Sequence, residues 1–177
     1  MDGGSPWRID DAVTLYRYLH VLATPPDFAF FAPGLPAPQG SKRHVGRGVL
    51  VESSKKVKPW RSDIEKALKT QKPAGMIPMD GPLFCAVEFW LPRPKGHPKT
   101  KVTLPVGPPD VDKLGRGALD PLTQNGIIHD DSRITDLLTV KRFVPADPRH
   151  TYADDKHLTG ALFHLWHLDK VEPYVEG

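Results

Sequence analysis

Proline and glycine interrupt this chain so often that a bundle of long helices is a poor fit to it. The 177 residues include 20 prolines and 15 glycines, and both residue types end or bend regular elements. Hydrophobic residues make up 39% of the chain, which is typical of a globular protein with a buried core. We therefore predict one domain of short strands and helices, joined by long ordered loops.

The spacing of the hydrophobic residues predicts an α+β fold. Residues 83–91 alternate so that one face of the segment is wholly apolar, as in a central strand. The other predicted elements are strands at residues 28–32, 49–52, 136–144 and 160–168, and helices from about 62 to 72 and about 112 to 123. Their order favours a single mixed β-sheet with helices packed on one face. The first two strands are expected to form a hairpin with a wide basic tip.

Residues 1–26 form a predicted N-terminal arm, and residues 27–177 form the main domain. A short helix is expected in the arm from Ala12 to about Leu22, because two prolines follow it. The arm contains no motif with recognisable chemistry. We therefore expect the functional site in the main domain.

The single cysteine and the short apolar segments indicate a cytoplasmic protein. Cys85 has no second cysteine with which to form a disulfide or a cysteine-built zinc site. No apolar segment is long enough to span a membrane, and the first residues lack the basic and apolar regions of a secretory signal. We expect a reducing, cytoplasmic setting and no membrane partner.

Two basic stretches fit a polyanionic partner, although the formal net charge is only +3. Only Glu52 opposes the first stretch, and the second contains no acidic residue. The first contains Lys42, Arg43, Arg47, Lys55, Lys56, Lys58 and Arg61, and the second contains Arg93, Lys95, Lys99 and Lys101. Each stretch alone fits a solvated loop equally well. A neighbouring acidic site favours contacts with phosphates, because such charges supply most of the affinity for a nucleic acid.

Two pairs of aspartates form the candidate metal site. Asp110 and Asp112 are two residues apart, so their side chains point the same way at the end of an extended stretch. A strand–helix–strand path can bring Asp130 and Asp131 beside them. Carboxylates without cysteines prefer Mg²⁺ or Mn²⁺, and packing like charges together is costly unless a cation neutralises them. The alternative stays open that Asp110 caps the helix and Asp131 lies in a turn.

Motifs for other chemistries are missing from the sequence. There is no GxxxxGK[ST] and no dinucleotide-binding glycine pattern, so we expect no nucleotide cofactor. The serines lack a matching arrangement of His and Asp, which disfavours a nucleophilic hydrolase. His164 and His167 point to opposite sides of a predicted strand, so a shared metal is not expected there.

The segment 109–141 resembles the RusA family of Holliday junction resolvases, the crossover junction endodeoxyribonucleases of bacteria, prophages and phages. Three features in one register carry the resemblance: the D-x-D at Asp110 and Asp112, the LD-x-LT-x-x-G helix, and the pair Asp130-Asp131. Weaker similarity covers residues 36–43, 58–68 and 83–91, and residues 1–26 lie outside it.

The resemblance implies a homodimeric α+β nuclease that requires Mg²⁺, with Mn²⁺ as a substitute, and that nicks four-way junctions in pairs during recombination and repair. Asp110, Asp112 and Asp131 match the metal-binding catalytic carboxylates of the family. Arg116 stands where the family has a catalytic lysine, so it keeps the charge but donates a proton less readily. Lys113 stands where the family often has asparagine.

Seven basic residues are the candidate DNA contacts. They are Lys42, Arg43, Lys58, Arg61, Lys95, Lys99 and Lys141. Contacts with the DNA backbone carry little sequence information, so we expect recognition of the branch by its shape. Two alternatives remain, a nuclease selective for flaps or forks and a junction-binding protein whose catalysis is weakened at Arg116. The basic stretches disfavour a metal hydrolase that acts on other substrates.

Overall fold

The computed structural model describes residues 19–40, 42–44, 50–52, 55–97, 103–144 and 159–170. The elements in chain order are β1 (Phe28–Pro33), β2 (Lys42–His44), β3 (Leu50–Glu52), α1 (Val57–Gln71), β4 (Leu83–Leu91), α2 (Val111–Gln124), β5 (Ile134–Phe143) and β6 (Gly160–His167). Two 3-10 turns cover Asp131–Arg133 and Leu168–Lys170. No helix within these ranges is both long and apolar enough to cross a bilayer.

Four strands form one mixed sheet in the order β1-β6-β4-β5. β6 runs antiparallel to both of its neighbours, whereas β4 and β5 are parallel. β4 occupies residues 83–91 as predicted, and its odd-numbered residues are all buried. The prediction of an α+β fold built on a single mixed sheet is confirmed.

Both helices contribute to one core against the sheet. Trp60 and Ile64 of α1 and Leu114 and Leu122 of α2 are at most 1% exposed, and they cluster with Cys85 of β4. Buried residues spaced three or four apart give each helix one apolar stripe. Burial raises the pKa of the Cys85 thiol to about 12, so this cysteine is an inert core residue.

The end of the predicted N-terminal arm packs near β6. Residues 19–23 are helical, and Val21 is fully buried in a second cluster with Trp166. The Trp166 indole donates a hydrogen bond to the carbonyl oxygen of Thr24, at 3.1 Å. The first part of the predicted arm helix lies outside the described residues.

The prediction that the first two strands form a hairpin is wrong. β1 pairs with β6, and the short strand β2 pairs with β3 in a separate two-stranded sheet. Phe30 of β1 stacks on Phe163 of β6, with the ring centroids 4.4 Å apart. This packing joins segments from near the two ends of the chain, so no local pattern predicts it.

The first helix begins earlier than the sequence suggested. α1 starts at Val57 rather than at Ser62 or Asp63, because Val57 and Trp60 are buried and extend the apolar stripe by one turn. Pro59 lies within that first turn, where a missing N–H group costs nothing because no carbonyl inside the helix needs it.

α2 runs unbroken through Pro121, although proline inside a helix usually kinks or ends it. Proline cannot donate to the carbonyl oxygen four residues earlier, which belongs to Gly117. Arg61 of α1 supplies the missing donor, since its Nε lies 3.4 Å from that oxygen. A Cβ atom on Gly117 would lie 2.8 Å from the carbonyl oxygen of Ala37, so this close approach of loop and helix requires glycine.

α2 forms the crossover between the parallel strands β4 and β5, which need such a connection. Gly115 approaches β5 closely, since a Cβ atom there would lie 3.0 Å from Thr139 Cγ2. The loop before α2 contacts Lys141 near the far end of β5. α2 therefore begins beside the carboxyl ends of β4 and β5, the end of a parallel sheet where ligands usually bind.

Candidate functional site

Asp110 and Asp112 lie where α2 begins, at the carboxyl ends of β4 and β5. Asp110 is the N-cap residue of α2, and its side chain makes no capping hydrogen bond. Asp112 belongs to the first helical turn, and both side chains are exposed. The Asp110 carboxylate is therefore not committed to capping the helix, and a ligand can reach both carboxylates.

Lys113 forms the shortest polar contact of the Asp110 carboxylate. Its Nζ atom lies 2.6 Å from Asp110 Oδ2. This hydrogen bond and the positive charge hold the pKa of Asp110 below its usual value. The same hydrogen bond raises the pKa of Lys113, and the nearby charge of Asp112 adds to that effect. An ammonium group thus lies against the carboxylate pair.

Lys141 holds the loop that leads to Asp110. Its Nζ atom donates hydrogen bonds to the carbonyl oxygens of Gly107, at 2.7 Å, and Pro109, at 2.9 Å. On the other side, the backbone N–H of Gln39 donates to the carbonyl oxygen of Lys113, at 2.9 Å. The carboxylate pair is therefore anchored to β5 and to the loop that precedes β2.

Asp131 lies at the other end of β5. It begins the 3-10 turn before this strand, and its side chain is exposed. Asp130 Oδ1 accepts a hydrogen bond from the backbone N–H of Ser132, at 2.9 Å, and the hydrogen bonds with Ser132 are the main cause of the lowered pKa of Asp130. Asp130 therefore caps the turn, whereas the Asp131 side chain is exposed to solvent.

The prediction that one chain gathers Asp110, Asp112 and Asp131 is wrong. The seven residue-to-residue steps from Ile134 to Lys141 on β5 span about 23 Å at the usual rise of a strand. Within the described ranges, no group of three His, Cys, Asp or Glu side chains is arranged to hold a metal ion. A parallel crossover brings the chain back to the start of β5, so the carboxylates before α2 and before β5 lie apart. Their roles as metal ligands stay predictions.

Arg116 lies one helical turn after Asp112. Residues four apart on a helix share a face, so Arg116 projects from the same side of α2 as Asp112. Its side chain is exposed. This position is compatible with the prediction that Arg116 stands in for the catalytic lysine of the family.

Part of each basic stretch packs against α2 or β5, the two elements that hold the carboxylate pair. Val57, at the start of α1, lies 3.5 Å from the position that a Cβ atom on Gly117 would take, which brings exposed Lys58 towards the first half of α2. The loop after β4 carries exposed Lys95 and packs on the end of β5, where the His97 and Phe143 rings lie 4.9 Å apart. Each basic stretch therefore has an exposed lysine in a segment that packs against α2 or against the end of β5.

Of the other predicted DNA contacts, two bind groups of the protein itself, two lie in β2 and one lies outside the described residues. Arg61 forms an ion pair with Asp120, with 2.5 Å between Nη2 and Oδ2, and Lys141 binds carbonyl oxygens of the chain itself. Lys42 and Arg43 belong to β2, and Lys99 lies outside the described residues. Sequence reasoning missed the contact of Lys113 with Asp110, although a spacing of three residues in a first helical turn was a signal for it.

The carboxylate pair has the chemistry of a site for a hard divalent cation. Mg²⁺ is usually held by one or two carboxylates, and it takes its other ligands from water and substrate phosphates. Asp110 and Asp112 are exposed oxygen donors, and the Lys113 ammonium shows that a cation fits beside Asp110 Oδ2. These residues therefore fit Mg²⁺ or Mn²⁺ better than a soft metal.

Comparison with known proteins identifies one matching family. A family model described as endodeoxyribonuclease RusA matches residues 33–156, a span that includes the candidate carboxylates and both helices. No curated protein matches the chain. The match begins after most of β1, so the predicted N-terminal arm lies outside it.

Proposed function

Because the chain belongs to the RusA family of endodeoxyribonucleases, we propose that it is a Mg²⁺-dependent enzyme that resolves Holliday junctions by paired nicking. The observation that supports this proposal most directly is the exposed pair Asp110 and Asp112 at the carboxyl ends of two parallel strands. A role in recombination and repair, in the cytoplasm of a bacterial or phage-infected cell, follows from this substrate.

The proposed chemistry divides two tasks among three side chains. Asp110 and Asp112 would hold the ion, which would supply charge neutralisation at the phosphate and activation of water. Arg116, one turn along the same helix face, stabilises the charge that develops on the phosphate oxygens. Arginine keeps its proton, so another group or water protonates the leaving oxygen.

Basic residues of the two basic stretches hold the arms of the branched DNA. The exposed residues Lys58 and Lys95 lie in segments that pack against α2 and the end of β5, and Lys42 and Arg43 lie in β2, which supports this role. Phosphate contacts position DNA and carry no sequence information directly. We therefore propose that branch shape, rather than base sequence, determines where these residues engage the junction.

Paired nicking needs two active sites, and a homodimer supplies them. β5 stands at the end of the strand order, and its Leu137 and Leu138 are 46% and 40% exposed on opposite faces. A twofold axis that pairs two copies of β5 antiparallel brings the amino end of one strand beside the carboxyl end of the other. In that dimer, Asp131 of one protomer approaches Asp110 and Asp112 of its partner.

A cleavage assay on a synthetic four-way junction tests the proposal. We expect Asp112→Asn to abolish Mg²⁺-dependent nicking and to leave junction binding intact. Asp169→Asn, which removes an exposed carboxylate on the last 3-10 turn, is the matched control and should cut normally. If Asp112→Asn still cleaves the junction, Asp110 and Asp112 are not the catalytic metal site. Preferential cutting of flaps or forks favours the structure-selective nuclease.

A junction-binding protein with weakened catalysis is the second candidate. Two observations favour it: Arg116 replaces the lysine expected from the resemblance, and the Lys113 ammonium lies on Asp110. Tight binding of the junction without cleavage in either Mg²⁺ or Mn²⁺ would identify this function.

A further inference from the structure

Lys113 places a positive charge against a carboxylate of the proposed metal site. Its ammonium lies 2.6 Å from Asp110 Oδ2, the length of a strong charge-assisted hydrogen bond. The charge of Asp112 attracts the same ammonium. The Lys113 and Asp110 side chains are 45% and 55% exposed, so the lysine can turn into solvent without unpacking the core.

The ammonium and a metal ion compete for the same carboxylate group. Mg²⁺ approaches a carboxylate oxygen to about 2.0–2.1 Å, and an ammonium at 2.6 Å from Asp110 Oδ2 leaves no room for it on that side. The two cations also repel each other near one carboxylate pair. Metal binding through Oδ2 therefore requires the Lys113 side chain to move away, and binding through Oδ1 brings two cations together on one carboxylate.

We propose that Lys113 is an internal competitor for the metal, and that its displacement sets the concentration of divalent cation at which the site fills. The inference rests on the proposed function, because it takes Asp110 and Asp112 as metal ligands. It goes further by giving this chain a built-in threshold for metal loading. The threshold depends on a single side chain one turn before Arg116.

Binding of Mn²⁺ to the DNA-free protein, followed by electron paramagnetic resonance of the free ion, tests this inference. Lys113→Met removes the charge and keeps the length of the side chain, and it should lower the Kd for Mn²⁺ by about fivefold. Lys113→Arg keeps the charge and should match the wild-type protein. Lys66→Met is the matched control, because Lys66 pairs with Asp63 at the same three-residue spacing on α1, and it should leave the Kd unchanged.

The outcomes separate this inference from the proposed function. If Asp112→Asn abolishes Mn²⁺ binding but Lys113→Met binds no more tightly than the wild type, the inference is overturned and the metal site stands. Equal tightening in Lys66→Met also overturns it, because net charge then explains the effect. If Asp112→Asn binds Mn²⁺ as the wild type does, or if neither the wild type nor Lys113→Met binds it, Asp110 and Asp112 are not a metal site. Both the proposed function and this inference are then contradicted.

Discussion

The ammonium of Lys141 on β5 donates a hydrogen bond to the carbonyl oxygen of Pro109, the residue that precedes Asp110. A second hydrogen bond from the same ammonium reaches Gly107. The loop that carries the first candidate metal ligand is thereby fixed to the edge of the sheet. We interpret Lys141 as a positioning residue that acts on Asp110 through the backbone, in place of the DNA contact first expected of it.

Lys141→Met should weaken Mn²⁺ binding several-fold, because the loop before Asp110 loses both hydrogen bonds. The dependence of junction affinity on salt should stay unchanged. Lys95→Met is the matched comparison, since it removes an exposed charge in a neighbouring loop. It should lower the slope of log K against log salt by about 1 and leave Mn²⁺ binding intact. If Lys141→Met instead lowers the slope of log K against log salt for junction binding, Lys141 contacts DNA as first predicted.

Arg61 and Asp120 should contribute jointly to stability, because their ion pair joins α1 to α2 beside the Gly117 carbonyl. The side chains are 22% and 37% exposed, so solvent screens the pair. We expect a coupling energy of about 0.5–1 kcal/mol in a cycle of Arg61→Ala, Asp120→Ala and the double variant, measured by urea denaturation. Additive effects of the two substitutions would show that the pair is not coupled.

The sequence predicts the position of single strands better than it predicts which strands pair. β4 could be placed to the residue, because strict alternation over residues 83–91 reflects burial of one face against the core. The partner of β1 could not, since the stacking of Phe30 on Phe163 depends on segments that meet only in the folded chain. A local pattern reports which side of a strand is buried, and it does not identify the neighbouring strand.

The candidate site likewise has positions that the sequence predicts and tertiary contacts that it does not. Asp110 and Asp112 both lie at the start of α2, but Asp112 already belongs to the helix, so the alternation expected of an extended stretch does not apply to the pair. The position of Asp131 depends on the parallel direction of β5 relative to β4, which sequence spacing does not reveal. The partners of Arg61 and Lys141 are also set by tertiary packing, and for this reason two residues first grouped with the DNA contacts are engaged within the protein.

Asp27 should make stability depend on pH in the acid range. Burial alone would raise its pKa, but hydrogen bonds from the His167 backbone N–H and from Lys170 outweigh burial and lower it. A carboxyl whose pKa is lower in the folded protein stabilises the fold above its unfolded-state pKa, and this contribution is lost as the pH falls through the folded-state value.

Asp27→Asn should therefore be less stable than the wild type near neutral pH, and the difference should shrink as the pH falls below about 4. Urea denaturation across this range measures the difference, and Asp169→Asn shows the effect of removing one exposed carboxylate elsewhere. A gap between wild type and Asp27→Asn that widens on acidification would contradict the lowered pKa.

Leu138→Arg should dissociate the proposed homodimer. Leu138 is 40% exposed on β5, and a twofold pairing of β5 strands places two copies of this residue close together, where two arginines repel each other. Leu104→Arg introduces the same charge at a residue that is 58% exposed in the loop before α2, so it is the matched control. Analytical ultracentrifugation should find a monomer for the first variant and the wild-type state for the second.

Loss of paired nicking should accompany dissociation, because Asp131 of one protomer then no longer approaches Asp110 of the other. A stable dimer in Leu138→Arg would exclude β5 as the interface.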